Sequence, residues 1–309
     1  TYTKDRNIQF LNNDLIYNFN TQNMMKKLYL FSLLIIVSCL SLNAQIVKGS
    51  VVDSKTGEPL PYASVGILNT PYGAVADEEG RFAFESNGQE VSSIVRVSMI
   101  GYEAQQYTLK ELLHNESTRI RLLETYYEIP EVKVRPKKEH KIGATRHHRS
   151  AGWSGWGGTV YKRGYEMGIH LALGEEPVKI KSLHIKYHRQ SFDTSFYRLH
   201  IRAMQDTIVG KELLTENIIL PVSEEKGWAE INLEKYNIFI SGDVGVTLEW
   251  LKVSGNNEDR AMKINKRTQK AYILFKNNKK HQGLYRWGTE AKWNYNRENA
   301  PCIYLTVLK

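Results

Sequence analysis

The chain has 309 residues, with 42 basic against 33 acidic side chains, a formal net charge of +9 and two cysteines. Cys39 lies in an apolar leader, so the rest of the chain holds Cys302 alone; an intramolecular disulfide is excluded there, and stability has to come from apolar burial in one or two domains. The basic excess favours anionic surfaces and glycans as partners and decides nothing about the fold.

Met25-Lys26-Lys27 followed by the apolar run Leu28 to Leu40 has the charged start and short apolar stretch of a secretory signal, with Ala44 as a small residue for cleavage before Gln45. A run of about 13 residues falls short of the roughly 20 that span a bilayer, so no transmembrane span is expected in the mature chain. Signals open chains, which makes residues 1–23 an upstream extension and residues 24–44 the signal peptide. Ile36-Val37-Ser38-Cys39 also resembles a lipoprotein cleavage box, whose cysteine would be acylated. Leu40, Ser41 and Leu42 continue the apolar run instead of opening a polar tether, which favours the cut at Ala44. Removing residues 1–44 takes away four basic and two acidic side chains, and the remainder stays basic.

From residue 45 to 134 the chain reads as short strands punctuated by turns. Ile46 to Val52 is β-branched and apolar, and Asp53, Gly57 and Pro59 stop it; Ala63 to Ile67 alternates again until Asn69, Pro71 and Gly73. Asp77-Glu78-Glu79-Gly80 is a turn, and Arg81-Phe82-Ala83-Phe84 returns as a strand with both aromatic rings on one face. With Ile94 to Met99 and Thr118 to Leu122 this makes the strand series of a small sandwich; Leu109 to His114 is the one helical turn.

Gly49-Ser50-Val51-Val52-Asp53, with Thr56-Gly57-Glu58-Pro59-Leu60-Pro61-Tyr62-Ala63-Ser64-Val65 and Asp77-Glu78-Glu79-Gly80-Arg81-Phe82, resembles the carboxypeptidase regulatory-like domain, a prealbumin-like β-sandwich. The resemblance implies a non-catalytic accessory module of the kind found beside zinc carboxypeptidases and ahead of the plugs of outer-membrane TonB-dependent transporters. A transporter barrel needs more chain than follows, and no ladder of roughly ten-residue membrane strands appears.

Lys133 to Arg149 holds seven basic residues against Glu139, with Pro136 and Gly143, and residues 135–150 read as a basic linker; a docking patch for anions is the sharper alternative. Residues 151–309 carry recurrent strand signals, among them the alternation Lys181 to His188, and are expected to form a larger jelly-roll-like sandwich, so that the whole mature chain is all-β. Pieces of it, including Gly227-Trp228 and Val246-Thr247-Leu248-Glu249-Trp250, resemble the C-terminal part of exported, functionally unassigned proteins that carry the same module.

Motifs for catalysis are missing from the sequence. His184 and His188 lack the glutamate of H-E-x-x-H and sit about 13 Å apart on a strand, too far for one metal. His147-His148, with His140 nearby, sits in the linker stretch as solvated side chains. Gly152-Trp153-Ser154-Gly155-Trp156-Gly157-Gly158 lacks the spacing of a serine-nucleophile turn and reads as an irregular loop. Cys302, in a strand-like run, is expected to pack and not to react. No enzyme activity, cofactor or metal is expected, a hydrolase being the third reading after binding and docking.

Trp153, Trp156, Trp287 and Trp293 stand in glycine-rich or polar surroundings and are the candidate ligand-binding aromatics, with ordinary packing as the competing reading; Trp228 and Trp250 sit at strand positions and are expected in the core. Arg260 to Thr289 has nine basic residues and no acidic one. Lys263, Lys266, Arg267, Lys270 and Lys276 there form a candidate cationic face, or else lysines guarding strand edges against aggregation. The expected protein is a non-catalytic binding or scaffolding component of a Gram-negative envelope, in the periplasm, on the outer membrane or outside the cell. Its expected partner is a glycan or envelope polymer, or alternatively an outer-membrane or surface protein, and not nucleic acid.

Overall fold

The structure is a computed structural model that describes residues 24–32, 45–114, 118–125, 138–157, 163–256, 262–264, 267–269 and 271–309. The lipoprotein box, the cleavage site and Lys266 and Lys270 lie outside these residues. Residues 24–32 are helical with exposed side chains; no helix among the described residues is long and apolar enough to cross a membrane. Ile46 to Lys309 forms one compact unit built around two apolar cores.

The first core lies between two small sheets. Their strands are β1 (Ile46–Asp53), β2 (Ser64–Ile67), β3 (Gly73–Val75), β4 (Arg81–Glu85), β5 (Ile94–Ser98), β6 (Gln105–Thr108) and β7 (Thr118–Leu122), in the orders β4-β1-β7 and β3-β2-β5-β6. Alternation drives the packing: Phe82 and Phe84 turn inward on β4 while Arg81, Ala83 and Glu85 turn out. The family-like turns have local causes. Asp53 Oδ1 accepts from the N–H groups of Lys55 (2.7 Å) and Thr56 (2.8 Å), and Asp77 Oδ1 accepts from Glu79 and Arg81 in the same way. Gly80 closes the second turn at φ +72°, and a Cβ there would come within 2.6 Å of the Val51 carbonyl oxygen. The helix Leu109–Leu113 is held by a capping box between Thr108 and Glu111.

The second core is larger and lies between two further sheets. Its strands are β8 (Glu139–Gly143), β9 (Trp153–Gly157), β10 (Tyr165–Ala172), β11 (Val178–Gln190), β12 (Phe192–Gln205), β13 (Ile208–Glu212), β14 (Ile219–Val222), β15 (Gly227–Asn232), β16 (Phe239–Ile240), β17 (Asp243–Asn256), β18 (Met262–Ile264), β19 (Arg267–Gln269), β20 (Tyr272–Asn278), β21 (Gly283–Trp287), β22 (Asn294–Asn296), β23 (Ala300–Pro301) and β24 (Ile303–Leu308). One sheet runs β13-β12-β17-β10-β21-β22, with β14 on β12. The other runs β23-β20-β11-β24-β8, with β15 and β16 on β11 and β9 on β20; β18 and β19 form a separate hairpin. Both expected sandwiches are therefore present.

Two local expectations are corrected. The stretch read as a basic linker contains β8, which pairs antiparallel with β24 from Tyr304↔Gly143 to Leu308↔Glu139; its charged side chains are exposed because it is the edge strand of the sheet. The glycine-rich segment read as an irregular loop is β9. Gly155 serves close strand approach there, since a Cβ would run into the Ile273 carbonyl oxygen.

Candidate functional site

Trp153 and Trp156 are three residues apart on β9, so they leave the strand on opposite faces. Trp156 is buried in the core, stacked on Trp250 with ring centroids 5.6 Å apart and edge-on to Phe275. That removes Trp156 from the ligand-binding set and confirms Trp250 as core. Trp228, expected in the core, is half-buried and faces Lys186 across the β11–β15 pair.

Trp153 points outward, 39% exposed, and stacks on His188 at 6.2 Å. Trp287, on β21, is 45% exposed with its ring edge-on to Tyr165. The two tryptophans line one concavity of about 650 Å³ together with Tyr285, Tyr295 and four asparagines, Asn277, Asn294, Asn296 and Asn299. The β9–β20 and β21–β22 pairings bring these elements together. The Asn277 Oδ1 accepts from Ser154 (2.9 Å), whereas Asn277 Nδ2 and Asn299 Oδ1 are buried without a hydrogen-bond partner. Flat rings beside amide donors and acceptors suit the alternating apolar and hydroxylated faces of a sugar.

Trp293 does not join this concavity. Its half-buried ring lies over the guanidinium groups of Arg286 (4.9 Å) and Arg202 (5.4 Å) at a second cavity of about 680 Å³ between the two sandwiches. Behind it lies a buried charge network spread over four strands, joined at its rim by Glu212 of β13. Arg198, His200 and Arg202 alternate on β12, Thr247 and Glu249 sit on β17, Glu166 on β10 and Arg286 on β21. Arg286 Nε donates to Glu166 Oε2 at 2.7 Å, and Arg202 binds the other Glu166 oxygen. Arg198 Nη1 is 3.1 Å from Glu249 Oε2, and His200 bridges Glu249 (3.0 Å) and Glu212 (2.6 Å).

The same network grips the first sandwich. Arg198 donates to Ser64 Oγ (3.2 Å) and to the Tyr62 carbonyl, Arg96 pairs with Glu290 (2.8 Å) and Lys252 with Glu78. Burial pushes the Glu166, Glu212 and Glu249 carboxyls up, but the neighbouring arginines outweigh it and hold all three below the usual range, Glu249 at about 2. A glycoside-hydrolase pair needs one carboxyl kept protonated; these three are shifted the other way. Sequence reasoning missed this network, although charged residues alternating along Arg198, His200 and Arg202 were a visible sign of a strand face with polar business.

The remaining candidates are distributed as follows. Lys263 and Arg267 lie on the β18–β19 hairpin, where Ile264 pairs with Arg267 and Lys263 with Thr268. Lys276 is half-buried on β20, opposite Trp153. His184 is buried, bonded to Ser182 (2.8 Å) and Thr306 (2.9 Å). Among the described residues no three of His, Cys, Asp and Glu converge as a metal site. Cys302 is buried, and burial pushes its thiol up to about 12.

The geometry defines an all-β protein of two sandwiches, the smaller docked on the larger through buried charges. Residues 47–134 match the family model of the CarboxypepD_reg-like domain, and the first sandwich is that domain. Among solved structures, a protein of unknown function from Bacteroides fragilis NCTC 9343, described as membrane-associated, aligns over 85% of this chain and 97% of its own at 10% identity and TM-score 0.20. A structure of infectious bursal disease virus, Gx strain, aligns over 83% of this chain and 62% of its own at 11% identity and TM-score 0.21. Similarity at that level carries no argument about fold or role. No curated protein matches the chain.

Proposed function

We propose that this chain is a non-catalytic, exported envelope protein that binds a carbohydrate or envelope polymer through its larger sandwich. The observation that supports this reading is the meeting of Trp153 and Trp287, 134 positions apart in sequence, in one solvent-open concavity with tyrosines and asparagines. Rigid strands carry both rings, so a ligand would meet a preformed surface and lose little affinity to ordering. The CarboxypepD_reg-like domain packs on the sheet that carries Trp287 and serves as a fixed support.

The test is a glycan array with the unaltered protein and with Trp153→Ala and Trp287→Ala, folding checked by circular dichroism. Each substitution should weaken binding by roughly 1 to 3 kcal/mol, the span of losing one stacked ring. Binding that survives both changes, or co-purification of one defined envelope protein with no glycan affinity, rejects the proposal; the second result favours docking on another envelope component.

A further inference from the structure

The larger sandwich treats its two outward faces differently. On the face that meets the first sandwich, every arginine of the network is matched with a carboxylate. The other outward face belongs to the sheet containing β20, β11 and β24. There Lys186 and Lys276 are both half-buried and flank Cys302, whose carbonyl accepts from the Lys186 N–H (2.9 Å) and whose N–H donates to the Lys276 carbonyl (2.7 Å). Neither ammonium has a carboxylate within 4.0 Å among the described residues. Three other partly buried cations of the protein do: Lys181 pairs with Glu139, Lys252 with Glu78 and Arg189 with Glu225, whereas the half-buried Lys179 lies over the Phe239 ring. Withdrawing a cation from water without a counter-charge is costly, and a bound anion would offset that cost.

The groups around the two lysines add to the field. Lys186 Nζ lies 3.2 Å from His147 Nδ1 and 5.2 Å from the centroid of the Trp228 ring. Burial, then Lys186, Lys276 and Arg149, hold His147 below its ordinary value; burial, Lys276 and Arg189 do the same to His188. Aromatic rings run through the same face: Trp153 on His188, Trp228 edge-on to Tyr304 at 5.0 Å, and Tyr304 stacked on His184 at 4.1 Å. Trp153 also lines the concavity it shares with Trp287, so the cationic strip and the aromatic concavity are continuous through that side chain.

Building on the glycan reading, we propose that this face takes an acidic polysaccharide, with sugar rings on Trp153 and Trp287 and its repeated anionic groups at Lys186 and Lys276. A neutral glycan would leave both half-buried lysines without a counter-charge. A polymer carrying one anion per sugar or disaccharide supplies such charges beside the rings, Lys276 being the β-sheet partner of Trp153.

The experiment measures binding of the purified protein to alginate, polygalacturonate and chondroitin sulfate, to dextran and methyl-esterified polygalacturonate as neutral polymers, and to phosphatidylglycerol vesicles, at low and high salt. Preferential binding to acidic polymers, weakened by salt, is expected. The double change Lys186→Gln and Lys276→Gln should weaken it by about fivefold to tenfold, and Lys186→Arg with Lys276→Arg, which keeps the charge, should restore most of it. Equal binding of acidic and neutral polymers, unaffected by the glutamine variant, overturns the acidic specificity and leaves the glycan reading standing. No binding to any polymer overturns both, and so does binding to vesicles alone.

Discussion

Glu166 sits fully buried between the guanidinium groups of Arg202 and Arg286, and Thr247 also donates to it. One carboxylate thus bridges two arginines that line the inter-sandwich cavity beneath Trp293, with Glu212 as a further partner of Arg202. Replacing it as Glu166→Gln keeps the shape and removes the charge, leaving Arg286 without a carboxylate and Arg202 with Glu212 alone, 3.5 Å away. The expected cost is about 3 to 5 kcal/mol, read as a lower urea midpoint; a loss under about 1 kcal/mol would mean that water reaches the arginines. At this scale the sequence was half legible. The alternation of Arg198, His200 and Arg202 announces a polar strand face, but a polar face against solvent and one against a docked domain read alike in sequence. The difference lies in Ser64 and the Tyr62 carbonyl, more than 130 positions away.

At the scale of the element, β9 shows how composition can mislead. Its glycines suggest a loop, yet Gly155 is there because β20 passes too close for a side chain, and the odd spacing of the two tryptophans sends one to the core and one to solvent. Trp156→Ala should therefore cost about 3 to 5 kcal/mol in stability, whereas Trp153→Ala should leave the melting temperature nearly unchanged. A comparison of the two variants by thermal melting separates the roles; equal destabilisation would contradict the assignment of Trp153 to the surface. The β8 edge strand is the converse case. Its basic residues are visible in the sequence and read as a connector, because an edge strand with exposed charges lacks the apolar alternation of a central strand.

At the scale of the whole molecule, titration of buried groups sets the acid limit of the fold. Glu166, Glu212 and Glu249 have folded values below the ordinary 4.5, so they stabilise fully above that pH and lose their contribution as pH falls toward about 2, the value of Glu249. His147, His184, His188 and His281 are held below 6.5, so the unfolded chain takes up more protons than the folded one once pH drops beneath that value. Stability should be level from about pH 7 to about pH 8, decline as pH falls through 6.5 and fall more steeply under 4.5. Urea melts at a series of pH values check this, and a midpoint unchanged between pH 6.5 and 4.5 would show that the histidines titrate as in water.

The sequence by itself determined the all-β class, the first sandwich with its aspartate-closed turns, and the alternation that fills both cores, because each depends on residues two to five positions apart. The tertiary structure alone decided that the two sandwiches dock through hydrogen bonds from the buried Arg198 and the partly exposed pairs Arg96–Glu290 and Lys252–Glu78, that Trp153 and Trp287 share a concavity while Trp156 and Trp293 do not, and that Lys186 and Lys276 flank Cys302. Those juxtapositions depend on which strands become neighbours and which sheet face is covered, and burial of that kind is a property of the assembled sheets that no local pattern encodes.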